Sequence, residues 1–419
     1  MKYIDADILI IGAGAAGVAA AIAATGAHST VVLIERNAFP GGKATASSVG
    51  TVCGLYLRSV LEKYVHVHDN FVMDFVKELE LKSGTSPQKN HHGLKFLPYK
   101  IEAFKQLCEE RIEASGINFL KQTSIIGLKQ ENASISQIEC EGPEGKMTIT
   151  CKYIIDCSGR AVVSDLANQP VIIDESLQSA AYIFEIKGVA EFSETSIDLA
   201  IKRAALKIEI SELKHYLLGT SIVPGSKNED QMMLKMGIPS VISAEYLEND
   251  PIALKSKSMI EDVFSYLKEN LPAFEHAYIS HVADEMGDRI GKRPKGKYVL
   301  TREDVFSCKK FNDGIACGTW PIEKWSKGYR VNMEYFEENN FYHIPIRCLV
   351  SQNLDNLFFA GRSISADEDA IASARVIGTC LATGYASGKL ALGRLNRKSE
   401  TDIVDEIQAE LFIDNPITH

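Results

Sequence analysis

The segment from Ile8 to Arg36, ILIIGAGAAGVAAAIAATGAHSTVVLIER, constrains the fold more than any other part of the chain. Its first apolar run follows two acids and predicts a buried parallel strand, and AGVAAAIAATG predicts a helix that Gly26 can end. STVVLIER predicts a second strand. Together these elements form a βαβ unit, which indicates an α/β fold with a parallel sheet.

Three glycines between the first strand and the helix form the pattern GxGxxG. Gly12 permits a tight turn, Gly14 lets a pyrophosphate approach the backbone, and Gly17 lets helix and strand pack closely. The phosphates would accept hydrogen bonds from unpaired N–H groups at the start of the helix, where Ala15 and Ala16 lie. The pattern therefore predicts a dinucleotide site.

Glu35 and Arg36 end the second strand. Glu35 follows Gly17 by eighteen residues, where a carboxylate accepts hydrogen bonds from an adenosine ribose and disfavours a 2′-phosphate. Arg36 beside it is assigned to the same cofactor site. The structural alternative is an alanine- and glycine-rich helix packed on a sheet without a ligand. NAD and FAD both suit this fingerprint.

Charge and cysteine content exclude several classes of partner. The net charge of −10 disfavours nucleic acid, because neutralising phosphates needs a surplus of Lys and Arg on one face. The nine cysteines are scattered without a CxxC pair, which favours a reduced intracellular state, and we expect no metal site. We also expect no membrane span and no signal peptide, which predicts a cytoplasmic enzyme.

The rest of the chain divides into distinct stretches. Residues 37–54 are too rich in Gly, Ser and Thr for a regular element, and short β-rich runs fill residues 118–155. Residues 170–345 mix strands and helices without a second glycine fingerprint, which predicts a second lobe. Helices are predicted over residues 58–81, 100–116, 370–395 and 402–412.

Several further motifs follow in a characteristic order. They are GAGAAG, GGKAT, YIIDCSGR, GDRIGKRPKGKYVLTREDV, YHIPIRCLV and NLFFAGRSISADEDAIASARVIGTCLATGYASG. In order and spacing, over most of the chain, they resemble the FAD-dependent oxidoreductases of the glutathione-reductase-like superfamily. The resemblance implies an α/β fold, with a Rossmann-like FAD-binding domain and an inserted mixed α/β substrate domain. The implied domains are 1–168 and 346–395 for FAD, 169–345 for the substrate, and a tail helix in 396–419.

The resemblance favours FAD over NAD as the cofactor. The helix after Asp369 would direct its positive N-terminus at the flavin pyrimidine, which favours an anionic reduced flavin. The residues implied at FAD are Gly12, Gly14, Ala15, Ala16, Gly17, Glu35, Arg36, Gly41, Gly42, Lys43, Ala44, Thr45, Ser158, Gly159, Gly361 and Arg362.

A flavin carries out the hydride chemistry itself, so the protein must orient a substrate and handle one proton. Cys53, just after the GGKAT loop, is a candidate neighbour of the ring or redox thiol, against a small buried hydrophobe as the alternative. Arg289 and Arg293 offer guanidinium groups to a substrate carboxylate or phosphate, unless they are solvated. Arg375 is a further candidate on the C-terminal helix.

Tyr342, His343 and Arg347 lie in the segment that the resemblance places near the flavin. His343 is the best proton handler by its intrinsic pKa, although a lone histidine is more often structural. Members of the family carry an acid and a histidine near WPIEKW, where this chain has Glu323 and Trp325. A proton relay at that place is therefore not carried over.

These features predict an FAD-dependent oxidoreductase that transfers a hydride between an organic substrate and the flavin N5. The substrate is a small molecule or is bound to a carrier or peptide, and oxygen or a carrier accepts electrons. One alternative is a flavin monooxygenase fed by NAD(P)H. Others are a flavoprotein maturation factor that modifies a partner protein or carrier-bound peptide, and a non-catalytic nucleotide-binding module.

Overall fold

The computed structural model of the chain describes residues 2–174, 178–241, 251–289, 291–326 and 328–412. The strands are β1 (Lys2–Ile11), β2 (Val31–Ile34), β3 (Thr51–Val52), β4 (Gln88–Lys89), β5 (Lys95–Pro98), β6 (Asn118–Leu120), β7 (Ser124–Glu131), β8 (Ser134–Gly142), β9 (Gly145–Asp156), β10 (Val171–Ile172), β11 (Ser179–Lys187), β12 (Thr220–Ile222), β13 (Gln231–Val241), β14 (Tyr278–Val282), β15 (Arg293–Pro294), β16 (Gly314–Gly318), β17 (Ile322–Ser326), β18 (Arg330–Glu334), β19 (Tyr342–Pro345) and β20 (Leu357–Phe359). The α-helices are α1 (Ala15–Ala23), α2 (Lys43–Ala46), α3 (Phe71–Ser83), α4 (Ile101–Ala114), α5 (Val162–Leu166), α6 (Glu194–Lys207), α7 (Glu212–Gly219), α8 (Pro251–Asn270), α9 (Arg302–Phe306), α10 (Glu368–Ala374), α11 (Ile377–Leu395) and α12 (Glu400–Leu411).

A seven-stranded sheet forms the centre of the molecule. Strands β6, β2, β1, β9 and β20 run parallel in that order, β8 pairs antiparallel with β9, and β7 pairs antiparallel with β8. Alternate side chains of β1 enter different clusters, Ile8 and Ile10 on one face and Leu9 and Ile11 on the other. The sheet is buried on both faces, as its apolar sequence predicts, and the α/β prediction is confirmed.

Helices α1 and α11 cross in close contact. A Cβ atom on Gly384 would overlap the carbonyl oxygen of Ala16, and one on Gly388 would overlap that of Ala20. The two backbones can approach this closely only because neither α11 residue has a side chain. The contact brings the C-terminal part of the chain onto the first βαβ unit.

Four antiparallel strands form a second sheet in the order β12, β13, β11, β14. Helices α6, α7 and α8 share a separate apolar cluster with this sheet, drawn from residues between Ala180 and Met286. Later residues such as Leu300 and Ile344 belong to the main cluster with α1 and α11. The segment whose buried residues belong to the second cluster, from Ala180 to Met286, is thus shorter than the predicted domain of residues 169–345. The inserted domain stays a prediction.

Two local predictions near the N-terminal half need correction. The helix expected over 58–81 begins only at Phe71, because residues before it pair in extended form, with Leu57 N–H donating to Val65 O at 2.9 Å. The loop expected over 37–54 contains the short elements α2 and β3. The helix predicted over 100–116 corresponds to α4.

The long helix predicted over 370–395 is broken. Helix α10 ends at Ala374 and α11 begins at Ile377, with Val376 extended between them (φ −71°, ψ 154°). The break lets Gly378 N–H donate to Cys53 O at 2.9 Å. It also gives α11 an N-terminus of its own beside Cys53, whereas the resemblance implied a helix N-terminus after Asp369. In the described part of the chain, no helix is both long and apolar enough to cross a membrane.

Candidate active site

A cavity of about 1080 Å³ lies between the carboxyl edge of the central sheet and the second sheet. Its lining includes residues directly after β1, β2, β9 and β20, together with Ala181 and Ile183 of β11 and Lys235 of β13. Ligands of open parallel sheets bind at this edge, where the loops that follow the strands converge. The cavity therefore combines the place predicted for a dinucleotide with a wall from the second lobe.

Two glycine segments form the floor of this cavity at the start of α1. Gly12 has a positive φ of 92°, and a Cβ atom on Gly17 would overlap the carbonyl oxygen of Gly12. Gly14 faces Gly42, where a Cβ atom would lie 2.8 Å from the Gly14 Cα. The backbone is thus bare beside the unpaired N–H groups of α1, which suits a pyrophosphate.

Glu35 lies at the end of β2 and is buried. Its carboxylate accepts hydrogen bonds from Ala13 N–H at 2.7 Å and Asn37 N–H at 3.0 Å. Burial raises the pKa of Glu35, although these two backbone donors act in the opposite direction. The hydrogen bonds fix the carboxylate beside the glycine turn, and each oxygen retains a lone pair for a ribose hydroxyl.

The turn after β9 is organised by Asp156, which is fully buried. Its carboxylate accepts hydrogen bonds from the backbone N–H groups of Ser158 at 2.9 Å and Val163 at 3.0 Å. Gly159 N–H donates to Ser363 Oγ at 2.9 Å, which ties this turn to the one after β20. A side chain at Gly159 would meet the guanidinium of Arg362 at 2.9 Å. The two turns therefore form one continuous wall.

A group of cations surrounds Asp288 on the second-lobe side. Lys43 Nζ lies 2.6 Å from the Asp288 carboxylate, Arg362 Nη1 donates to it at 2.9 Å, and Arg160 lies 3.7 Å away. Burial raises the pKa of Asp288, but the three cations outweigh it and hold the pKa well below its usual value. Asp288 therefore stays ionised. Sequence reasoning gave this residue no role, although it lies in the motif GDRIGKRPKGKYVLTREDV, because the contacts that hold it come from distant segments.

Glu285 adds a second link between the lobes. It accepts hydrogen bonds from Lys43 Nζ at 2.8 Å and from Arg36 Nη2 at 2.7 Å. The side chains of Arg36 and Lys43, which were assigned to the cofactor, thus line the cavity while pairing with Glu285. Both contacts fasten the segment before Asp288 to the loops after β2.

At the other end of the cavity, charged side chains gather around two indole rings. Trp320 Nε1 donates to Glu323 Oε2 at 2.6 Å, and Trp325 Nε1 donates to Glu323 Oε1 at 2.5 Å. Lys235 Nζ lies 4.1 Å and the Arg289 Cζ lies 4.7 Å from the centre of the Trp325 ring. We call these side chains and Arg375 the tryptophan cluster; its members are Lys235, Arg289, Trp320, Glu323, Trp325 and Arg375.

Burial and mutual repulsion change the ionisation of this cluster. Burial, with Arg289 close by, lowers the pKa of Lys235 to about 8. Burial and the neighbouring Arg375 lower the pKa of Arg289 to about 9. Burial raises the pKa of Glu323, but Arg375, both indole donors and Arg289 outweigh it and lower the pKa below its usual value. The cluster therefore presents a surplus of positive charge to the cavity.

Cys53 lies in the lining of the cavity, near the start of α11. Burial, with the charge of Glu323 nearby, raises the pKa of its thiol. A thiol that stays protonated is a poor nucleophile. Cys53 is a free cysteine, and its surroundings match a packed side chain better than a reactive one.

Most residues predicted at the cofactor lie in the cavity lining. Gly17 and Thr45 do not; Gly17 shapes the turn, and Thr45 donates to Pro40 O at 2.9 Å. Those in the lining are Gly12, Gly14, Ala15, Ala16, Glu35, Arg36, Gly41, Gly42, Lys43, Ala44, Ser158, Gly159, Gly361 and Arg362.

Four of the predicted catalytic residues lie outside this lining. Arg293 is buried in an ion pair with Asp174 and donates to Ala366 O at 2.8 Å. Tyr342 is fully buried, and its hydroxyl lies 2.7 Å from Ser373 Oγ. The structure gives both side chains structural partners and does not bring them to the cavity.

His343 and Arg347 are also held elsewhere. His343 Nδ1 contacts the backbone of Phe311, and burial lowers its pKa. Arg347 forms a two-bond pair with Asp313, at 2.7 and 3.2 Å. Of the arginines singled out from sequence, those that line the cavity are Arg36, Arg289, Arg362 and Arg375.

The family comparison decides the cofactor. A family model described as FAD dependent oxidoreductase matches residues 7–411. The chain belongs to the FAD-dependent oxidoreductase family. FAD is therefore its cofactor, and the protein is an FAD-dependent oxidoreductase. No curated protein matches its sequence.

Solved structures share the fold at low sequence identity. A geranylgeranyl bacteriochlorophyll reductase-like protein from Thermoplasma acidophilum has a TM-score of 0.52 at 10% identity, over 97% of this chain and 83% of its own. The OxyS anhydrotetracycline hydroxylase from Streptomyces rimosus has a TM-score of 0.51 at 13% identity, and the match covers 97% of this chain and 66% of OxyS. CabE, an aromatic hydroxylase from angucycline biosynthesis, has a TM-score of 0.51 at 12% identity, and the match covers 97% of this chain and 65% of CabE. This chain thus spans just under two thirds of both hydroxylases, and the likeness shows the fold alone.

The cavity of this FAD-dependent oxidoreductase fits the cofactor at the end made by the glycine turns. A side chain at Gly42 would fill the space beside Gly14, so the bare backbone there is a cradle for phosphates. Glu35 lies in the lining of the same cavity, beside the glycine turn. Val376 and Ile377, at the start of α11, lie in its lining near Cys53.

Proposed function

We propose that the protein oxidises or reduces an organic substrate by hydride transfer to or from the flavin N5, with the substrate bound between the flavin and the second lobe. The observation that carries this proposal is one cavity, of about 1080 Å³, that reaches from Glu35 past the glycine turns to the tryptophan cluster. Sites for one small molecule typically measure about 300 to 1,000 Å³. The larger volume suits a dinucleotide and a second ligand together.

The cofactor lies along the carboxyl edge of the central sheet in this proposal. Glu35 binds the adenosine ribose, and the backbone at Gly12 and Gly14 binds the pyrophosphate together with Gly361 and Arg362. When bound, FAD supplies the hydride chemistry. Ile377 begins a helix whose positive N-terminal end lies at the cavity and favours negative charge on the flavin there.

The chain's own residues position the substrate and limit its solvation. Ala181, Ile183 and Val223 give the second-lobe wall an apolar surface, while Lys235 and Arg289 supply charge. Apolar walls exclude water from the reacting groups and strengthen the charged contacts. The proposal includes the inserted substrate domain and the glutathione-reductase-like subclass, which are supported by the separate core cluster and by the strand order of the central sheet.

A flavin monooxygenase fed by NAD(P)H is the second candidate. Its support is the shared fold of two solved proteins whose names call them hydroxylases. A maturation factor acting on a partner protein or carrier-bound peptide stays a prediction. The substrate in either candidate reaction is proposed to be a small molecule.

An anaerobic absorption experiment separates these candidates. The purified holoprotein is titrated with NADH, then with NADPH, and then with candidate organic substrates, while the flavin band is followed. We expect the band to persist with both nicotinamides and to bleach with an organic electron donor. Rapid bleaching by NADH or NADPH would instead favour the monooxygenase. A flavin that no donor reduces would contradict both.

A further inference from the structure

The tryptophan cluster carries more positive charge than its own acid can balance. Lys235, Arg289 and Arg375 face Glu323, whose two carboxylate oxygens each accept an indole N–H. Arg375 donates to backbone carbonyls, among them Glu323 O at 2.8 Å, which leaves its charge without a carboxylate of its own. Buried charge without a counter-ion is costly. The surplus positive charge of the cluster therefore favours binding of an anion.

Arg289 presents unused donors to the cavity. Its Nη1 donates to Ser179 O, which holds the guanidinium in place, and its plane lies over Trp325. Among the described residues, nothing accepts a hydrogen bond from Nε or Nη2. These two groups form the edge of a guanidinium that binds a carboxylate through two parallel hydrogen bonds.

Lys235 provides the second cation. Its ammonium lies over the same indole ring, and no hydrogen-bond acceptor or acid within the described residues pairs with it. Lys235 comes from β13, whereas Arg289 follows Asp288, so two separate elements bring their charges to one ring. Stacking on Trp325 fixes both positions without neutralising either charge.

We propose that the substrate is an organic acid whose carboxylate is bound by the Nε and Nη2 edge of Arg289 and by the ammonium of Lys235. This deepens the proposed function, on which it rests, by naming the substrate class. The apolar residues Val223, Val331 and Met333, which line the same cavity, would contact the carbon skeleton of the acid. Binding forms no covalent bond and needs no further reactant.

The chain offers a direct readout, because both of its tryptophans lie in the cluster. Holoprotein is titrated with acetate, benzoate and decanoate, each paired with its neutral amide, and with inorganic phosphate. Tryptophan fluorescence and the flavin difference spectrum are recorded. We expect a saturable response to at least one acid, no comparable response to its amide, and a weaker response to phosphate.

Three variants test the residues. Lys235→Gln and Arg289→Gln should each weaken binding of the responsive acid at least about tenfold. Arg289→Lys, which keeps the positive charge, should bind the acid more tightly than Arg289→Gln but less tightly than the wild type. Lys257→Gln is the control, because Lys257 is exposed on α8, away from the cavity. Its affinity for the acid should equal that of the wild type, and flavin content should be the same in all variants.

Several results would overturn the proposal. They are no saturable response to any acid, equal responses to acid and amide, or wild-type affinity in Lys235→Gln and Arg289→Gln. A response to phosphate stronger than to every acid would assign the cluster to a phosphate ester instead. A protein that binds acids but whose flavin no donor reduces would contradict the proposed function and leave this assignment intact.

Discussion

The two ends of the cavity are built from different parts of the polypeptide. At the end beside the glycine turns, the lining consists of backbone N–H groups and bare glycines, and Glu35 is held by two backbone donors. At the other end, the charged lining groups are side chains that come from β13, the segment after β14, β17 and the break before α11. Backbone geometry suits a cofactor that a whole family shares. Side chains on separate elements can change one at a time, and so can set the substrate.

The largest expected effect is at the backbone end. Gly17→Val should cost at least about 3 kcal/mol of unfolding free energy, because the new side chain overlaps the Gly12 carbonyl. Gly14→Val is the matched control, since Gly14 has an extended backbone (φ −68°) and its nearest neighbour is 3.8 Å from the added Cβ. With FAD removed from both proteins, it should unfold within about 1 kcal/mol of the wild type. Urea unfolding of the FAD-free proteins, followed by circular dichroism, measures both, and equal stability of the two variants would contradict the tight turn.

The second prediction separates structural from substrate-binding arginines. Arg293→Met leaves Asp174 buried without its partner, which should cost about 3 to 5 kcal/mol. Arg347→Met breaks a half-exposed pair with Asp313 and should cost less than about 1 kcal/mol. Urea unfolding gives both values. Neither variant should change the affinity for organic acids. If Arg293→Met lost affinity for these acids while keeping wild-type stability, Arg293 would be a substrate-binding residue rather than a structural one.

A third, smaller effect is a pH dependence at the side-chain end. The pKa of Lys235 is lowered to about 8, so its charge is present below that pH and is lost as the pH rises through it. Acid binding should be constant between about pH 6 and 7, where the carboxylate is ionised, and weaken by up to about tenfold per pH unit above 8. The charged groups that act on Lys235 are Arg289, Glu323, Lys202 and Asp198.

Titrations at a series of pH values measure this dependence. Lys235→Gln should lack the decrease that begins near pH 8, because the guanidinium of Arg289 stays protonated over this range. The same decrease in Lys235→Gln would assign the titration to another group.

The smallest expected effect is at Cys53. Because burial keeps its thiol protonated, Cys53→Ser should retain FAD and change turnover with a reducing substrate by less than about twofold. Flavin content and the rate of anaerobic bleaching measure the two properties. Loss of bleaching with FAD retained would instead support a redox thiol.

The sequence predicted the backbone end well, because its signals are local. GxGxxG, the strand before it and Glu35 all lie within one βαβ unit, and the structure places Gly12, Gly14 and Glu35 around one cavity. The break at Val376 was missed because every residue of the segment is compatible with a helix. The break accompanies a hydrogen bond from Gly378 N–H to Cys53 O, two residues that are far apart in sequence.

The side-chain end was predicted only in part. Arg289 and Arg375 were named, but Arg293, four residues from Arg289, shared the same basic run and turned out to be paired with Asp174. Lys235 carries no motif, and its position follows from the pairing of β13 with β11. Tertiary contacts between distant segments decide which cations face the cavity. These contacts cannot be deduced from the composition of the chain or from the spacing of its residues.

The most direct test is the flavin content of purified wild type and Gly14→Val, measured by releasing the cofactor and identifying it by chromatography. We expect about one FAD per wild-type chain, and a folded Gly14→Val protein without FAD, because its side chain occupies the approach of the pyrophosphate. Full FAD content in the folded variant, or a wild-type protein that releases no FAD, would contradict the assignment of the glycine turn to the cofactor.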